Sequence, residues 1–412
     1  MARCAALPAL VVAVAVAAGG CGGVPRPASG TPHDDARPGA RVVSLVTHNA
    51  SPLADSPVEV DVRGLRGGER AALHARWREG DGTVWVSDTP LHADARGRVV
   101  LRGVDGTRFL WSMRPAHPTG DSQSFMLPVR GRSDVALTVE AAGRVVARAT
   151  LPRRLTSPGV RVRRLTVRHD GVYGYLFSPA AHARGPAVLA FGGSEGGDSM
   201  IAKAALLASH GYPALALAYF KAPGLPRRLV RIPLEYFARA AHILRRSPGV
   251  DPSHLVTLGV SYGGEASLLV ASSFPALFHG AIALVPSAIV TSGLPFGNAA
   301  WTLHGRAVPD QAPIAVERID GPVLTAGAGR DGIWNSAGAV TQVEQRLSAH
   351  HFRFRHRGIV YPDAGHVVGG AVPYSPAPTT QPAEGGDPRA DAAGRADLWP
   401  RILGFLDRLR AR

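Results

Sequence analysis

The sequence predicts two domains in tandem: an antiparallel all-β sandwich over residues 41–155, then an α/β fold with a mostly parallel sheet covered on both faces over 160–412. Three observations carry this. Apolar residues alternate with a period of two up to Leu151, the period changes after Pro158-Gly159, and beyond it short apolar runs take turns with stretches of helical spacing. With 412 residues, 45% hydrophobic and 19% charged, the chain can bury a sizeable core, and a wholly disordered or collagen-like chain is excluded.

Residues 1–20 read as an export signal, in which Arg3 precedes an uncharged Ala/Val/Leu run that ends in Ala18-Gly19-Gly20. The apolar part, Ala5 to Ala18, is short for a membrane span. Cys21 follows the small residues as the lipid-attachment cysteine does in bacterial lipoproteins, so the expected location is a cell membrane, lipid-anchored on its outer side, with plain secretion as the alternative. Cys4 would leave with the signal, so no disulfide framework or thiolate metal site is expected. Residues 21–40, rich in Pro, Gly and Asp, read as a flexible tether.

The strands of the first domain are RVVSLVTH, VEVDVRGL, RAALHARWRE, TVWVSD, RVVLRG, VALTVEAA and RVVARATL, separated by turn residues such as Asp81-Gly82 and Arg96-Gly97. In VEVDV, Val58, Val60 and Val62 share one face, with Glu59 and Asp61 on the other. No helix of ordinary length is expected there. In the second domain RVRRLTVR and VYGYLFSP are strands, AVLAF a buried strand, MIAKAALLASHG a helix closed by Gly211, and PALALAYF a second buried strand. LEYFARAAHILRRS is an amphipathic helix, LVTLGV, GAIALV, GPVLTAGA and RGIVYP are further strands, and a final helix begins or kinks at Pro400.

The formal net charge of +15 does not point to nucleic acid. Only Lys203 and Lys221 are lysines among the 46 basic residues, the arginines are scattered, and no block of like charge interleaves with aromatics.

Two pentapeptides match G-x-S-x-G. Gly259-Val260-Ser261-Tyr262-Gly263 joins the strand LVTL to the helical EASLLVASS, the setting a nucleophilic serine needs at a sharp strand-to-helix turn. Gly192-Gly193-Ser194-Glu195-Gly196 follows AVLAF and suits a loop whose backbone N–H groups face a developing oxyanion. Asp331 lies past GPVLTAGA and His366 past RGIVYP, giving the order Ser, Asp, His with each residue just beyond a strand of one sheet, as in α/β-hydrolases. Asp363 and Asp320 compete for the acid, and Asp363, three residues before His366, is assigned to the turn. Glu265 is assigned to the helix dipole. The expected oxyanion donors are the N–H of Tyr262 and one from Gly192, Gly193 or Ser194.

With these residues in place, the chain resembles the acyl-CoA thioesterases and bile acid-CoA:amino acid N-acyltransferases. The motifs SPLADSPVEVDVRGL, ADARGRV and FLWSMRP, with Trp111 and Met113, are similar to the first domain of that family; LEYF, LGVSYGGE, GRDGIWNS, YPDAGH and GGDPRADAAGRADLWPRILGFL are similar to the second. The resemblance implies an immunoglobulin-like sandwich before an α/β-hydrolase domain. It also implies hydrolysis of an acyl thioester, because the family's thioesterases carry serine, as at Ser261, where its transferases carry cysteine. No metal or organic cofactor is expected. The alternatives are hydrolysis of carboxylesters or lipid esters outside the cytoplasm, acyl transfer to an amine, and a binding lipoprotein without activity.

Overall fold

The computed structural model describes residues 41–119, 123–180 and 185–410, so the expected export signal and tether, with Cys21, lie outside the described residues. Strands β1 (Ser44–Asn49), β2 (Val58–Arg63), β3 (Arg70–Arg78), β4 (Val84–His92) and β5 (Val99–Leu101) precede two single helical turns, α1 (Gly103–Gly106) and α2 (Arg108–Trp111). Strands β6 (Arg114–Pro115), β7 (Ser133–Ala141) and β8 (Arg144–Arg153) follow. They form two antiparallel sheets, ordered β1-β2-β5 and β6-β4-β3-β7-β8.

The alternation of the sequence sets their buried faces: Leu73, Ala75 and Trp77 of β3 lie inside with Val135, Leu137 and Val139 of β7. Asp61, placed opposite the valines of β2, is buried, because Arg63 and Arg98 both bond its carboxylate at 2.7 Å. Those bonds, that of Arg98 foremost, hold its carboxyl far below the usual range.

The rest of the chain builds one eight-stranded sheet. In chain order it runs β9 (Arg161–Leu165), α3 (Val167–Asp170), β10 (Tyr173–Ser178), β11 (Gly185–Phe191), α4 (Ile201–Ser209), β12 (Ala214–Ala218), β13 (Ile232–Pro233), α5 (Leu234–Arg245), β14 (Val250–Val260) and α6 (Tyr262–Ser273). Then come β15 (Ala281–Leu284), β16 (Trp301–Leu303), β17 (Arg306–Ala307), β18 (Val323–Ala328), α7 (Ser336–Ala349), β19 (His356–Tyr361), α8 (Val367–Gly370) and α9 (Pro388–Arg410). The sheet order is β19-β18-β15-β14-β11-β12-β10-β9, parallel from β19 to β12 and antiparallel at β10 and β9, while β13, β16 and β17 make a small separate sheet.

Period two divides this sheet between two cores. Val188 and Ala190 of β11, Leu258 and Val260 of β14 and Leu284 of β15 face α4 and α9, whereas Leu189 and Phe191, Leu255 and Ala283 face α5, α6 and α7. The first of these cores is continuous with that of the N-terminal sheets, so the described residues from Val42 onward close into one compact unit. Asp55 reinforces the junction, accepting bonds from His210 at 2.5 Å and from Trp399 at 2.6 Å.

Two helical segments differ from expectation. Helix α7, between GPVLTAGA and RGIVYP, is not among the helices expected above, although Val340, Val343 and Leu347 recur at helical spacing and reach the core with Ala339. Helix α9 begins at Pro388 rather than at Pro400 and continues through it. Among the described residues no helix is long and apolar enough to cross a membrane.

Candidate active site

Ser261 lies between β14 and α6 with φ 60° and ψ −124°, a conformation costly for any residue with a Cβ. The turn is tight enough to require glycine on both sides. A Cβ on Gly259 would lie 1.8 Å from the carbonyl oxygen of Gly263, and one on Gly263 would lie 2.3 Å from that of Gly192. The Ser261 N–H bonds Leu284 O at 2.9 Å, fixing the turn to the next strand. Tyr262 is the first residue of α6, where a backbone N–H has no partner within the helix.

The loop after β11 presses against this turn: a Cβ on Gly193 would lie 2.8 Å from that of Ser261. Of the three residues expected to offer an oxyanion donor, Gly192 and Gly193 are buried and Ser194 is exposed. The Gly193 N–H is already engaged, donating to Glu195 Oε1 at 2.9 Å, and Ser199 Oγ donates to the same oxygen at 2.5 Å. Tyr219 O–H bonds Gly192 O, and Lys221 Nζ reaches Ser194 O and Glu195 O. Ser194 therefore sits in an open turn, with α4 beginning only at Ile201, unlike the strained Ser261.

Asp331 and His366 meet. Nδ1 of His366 is 2.8 Å from Oδ2 and 3.0 Å from Oδ1 of Asp331. The same carboxylate accepts Ser336 Oγ at 2.6 Å, Ile333 N–H at 2.9 Å and Trp334 N–H at 3.2 Å. Burial alone would raise its pKa, but the bond and charge of His366 together with the bonds from Ser336 and Ile333 outweigh it, and the carboxyl lies below its ordinary value. The competing acids are engaged elsewhere, Asp363 with Arg330 and Asp320 with Arg353.

Rings connect the two halves of the site. Trp334 lies 5.3 Å from Tyr262 and 5.6 Å from His366, centroid to centroid, and its indole N–H bonds Val285 O at 3.0 Å. A Cβ on Gly369, in the turn after His366, would lie 3.4 Å from Val260 Cγ1, so that turn packs beside the strand end that carries Ser261. The Glu384 carbonyl accepts the N–H of both His366 and Gly332, tying the histidine turn to the acid loop.

Glu265 does more than face the helix dipole. It is fully buried, accepts Trp301 Nε1 at 2.7 Å and Thr291 N–H at 3.1 Å, and so fastens residues 291–301 to α6. Burial pushes its carboxyl up to about 8 against the lowering effect of those bonds. Neither Trp334 nor Ser336 was singled out from sequence, although GRDGIWNS contains both. Among the described residues no group of three His, Cys, Asp or Glu could hold a metal ion.

The strand order, with a strained serine at a strand-to-helix turn and an Asp–His pair beyond later strands of the same sheet, defines an α/β-hydrolase. Two family models match it: "Acyl-CoA thioester hydrolase/BAAT N-terminal region" over residues 55–168, and "BAAT / Acyl-CoA thioester hydrolase C terminal" over 232–298 and 300–410. The chain belongs to this family of thioester hydrolases. Similar relatives include acyl-coenzyme A thioesterase 6 of Mus musculus, 28% identical over 86% of this chain and 93% of that protein. Another is acyl-coenzyme A thioesterase 1 of Homo sapiens, 29% identical over 85% and 93%. Among solved structures, a putative dienelactone hydrolase from Klebsiella pneumoniae is 18% identical with a TM-score of 0.43, covering 60% of this chain and 98% of that one.

Proposed function

We propose that this protein hydrolyses an acyl-CoA or a closely related acyl thioester through a seryl-acyl intermediate. The observation that carries the reading is the grip of Asp331 on Nδ1 of His366, beside the turn that strains Ser261. A carboxylate on Nδ1 keeps the proton there and leaves Nε2 as the base. Nε2 takes the proton of Ser261 as its Oγ attacks the thioester carbonyl. The oxyanion is held by the N–H of Tyr262 and by one from the Gly192–Ser194 loop, where an oxyanion using the Gly193 donor displaces Glu195. The thiolate leaves as the free thiol by taking the proton from Nε2, the neutral imidazole then accepts a proton from the water that attacks the acyl-enzyme, and that proton returns to Ser261 Oγ as the acid is released. Acyl-CoA is favoured as the acyl donor because the relatives are named acyl-coenzyme A thioesterases.

The same reading takes residues 41–155 as an immunoglobulin-like sandwich and 160–412 as the catalytic domain. It also takes Cys21 as the lipid-bearing residue of a membrane-anchored, extracytoplasmic enzyme. That location favours a second reading, a carboxylester or lipid-ester hydrolase with the same residues. Hydrolysis of acyl-CoA, acyl-pantetheine and simple esters of matched chain length separates the two. Turnover of the thioesters at a kcat/KM well above the esters supports thioesterase activity; the opposite order replaces it with esterase activity.

A further inference from the structure

Almost all of the chain's positive charge is arginine, yet one of its two lysines is buried: Lys203, on α4, is 5% exposed. Its ammonium donates to Gly370 O and, at 3.4 Å, to Ala371 O. These carbonyls close α8, the single turn that His366 caps at its N-terminal end. At the other end of that turn the Gly365 N–H donates to the buried carboxylate of Asp391, on α9, at 2.7 Å. The segment carrying His366 is thus held from one face of the sheet by two buried side chains, a carboxylate that accepts the N–H before the histidine and a lysine nitrogen that donates to the carbonyls after it.

The arrangement is not the one stability alone would choose. Arg395, one turn along α9 from Asp391, is 2% exposed, and its Nε and Nη1 find no acceptor. Burial, with the charge of Arg395 adding to it, pushes the Lys203 ammonium down to about 7. A compact ammonium with three donors can serve two adjacent carbonyls, which neither a methionine nor a leucine of similar volume does. The chain's other lysine also bonds backbone carbonyls of a site loop, those of Ser194 and Glu195.

We propose that Lys203, together with Asp391, is a positioning residue for catalysis, clamping the turn that carries His366 so that its imidazole meets both Asp331 and Ser261. This rests on the assignment of His366 as the general base. Released at Gly370 and Ala371, the turn relaxes, and a displacement of about 1 Å at a general base costs on the order of 10²-fold in rate.

The test compares wild type with Lys203→Met, Lys203→Gln and Asp391→Asn in the full chain. Each is measured for kcat and KM, for labelling of Ser261 by a fluorophosphonate, for thermal unfolding, and for the downfield proton resonance of the Nδ1–H between His366 and Asp331. Lys203→Met is expected to lower kcat and the labelling rate together by ~10- to 100-fold, with KM within about twofold and the Nδ1–H resonance broadened or lost. Lys203→Gln, which keeps a donor without the charge, should recover part of the rate. A wild-type rate and an intact resonance in a folded Lys203→Met would overturn the proposal while leaving the catalytic reading standing. Should Lys203→Met fail to fold, a wild-type rate and resonance in both Lys203→Gln and Asp391→Asn would overturn it equally. Absence of labelling at Ser261 in the wild type would instead overturn the catalytic reading itself.

Discussion

Both carboxylate oxygens of Asp331 lie within 3.0 Å of Nδ1 of His366, while Ser336 and two backbone N–H groups fix that carboxylate from the other side. An acid held this firmly sets the histidine's tautomer as well as its position. Asp331→Asn should therefore lower kcat by ~10³-fold or more with the fold intact, because an amide facing Nδ1 favours the wrong tautomer. Asp363→Asn, which loses only an exposed pair with Arg330, should cost less than about tenfold. Steady-state kinetics of the two variants checks this, and the reverse ranking would move the acid to Asp363.

The strain at Ser261 has its own signature. Both Ser261→Ala and Ser261→Gly should be inactive and unlabelled by a fluorophosphonate, but only glycine relieves the φ of 60°. Relief of about 1–3 kcal/mol, set against about 0.5–1 kcal/mol of added chain entropy in the unfolded state, leaves the glycine variant about 1 kcal/mol the more stable. Urea unfolding of the pair measures the difference, and equal midpoints would show that the turn is unstrained.

Glu265 predicts a pH dependence of stability. Its folded pKa, pushed up to about 8, lies above its ordinary 4.5, so the folded chain holds an extra proton between those values. The stability contributed by the protonated form is present at low pH and is lost as pH rises from about 4.5 through about 8. Glu265→Gln removes this titration, so its stability relative to wild type should rise between about pH 5 and about pH 9. A difference that stays constant across that range would contradict the assignment.

Asp55 couples the N-terminal sheets to the catalytic part of the chain. Asp55→Ala strips the acceptor from the buried indole N–H of Trp399 and from His210, which should destabilise the whole chain by about 1–3 kcal/mol. If the loss is confined to the N-terminal sheets, calorimetry will separate into two transitions rather than move as one.

The lipid anchor is tested at the N-terminus. Mass spectrometry of the native protein should find a mature chain beginning at a diacylated Cys21, since two acyl chains, at ~0.8 kcal/mol per buried CH₂, suffice for stable anchoring where one is marginal. Cys21→Ser should shift the protein from the membrane fraction to the medium or leave it unprocessed. A mature chain starting elsewhere would remove the anchor from the proposal.

By itself the sequence determined the parts governed by local rules. Alternation with period two placed the valines of β2 on one face, because successive strand side chains point to opposite faces. Ser261, Asp331 and His366 could be picked out because each lies just past a parallel strand of the one sheet, and the ends of parallel strands converge on one edge of a sheet. The tertiary structure alone decided which polar groups are buried together. The sequence places Asp61 only on the face opposite its neighbouring valines and Glu265 only at the helix dipole; the bonds from Arg98, and those from Thr291 and Trp301, come from the fold. The bonds from Lys203 to Gly370 and from Trp399 to Asp55 join residues 167 and 344 positions apart. No local period encodes such pairs, because a buried charge is tolerated only where packing delivers a partner, and that partner is chosen by the fold rather than by the neighbouring sequence.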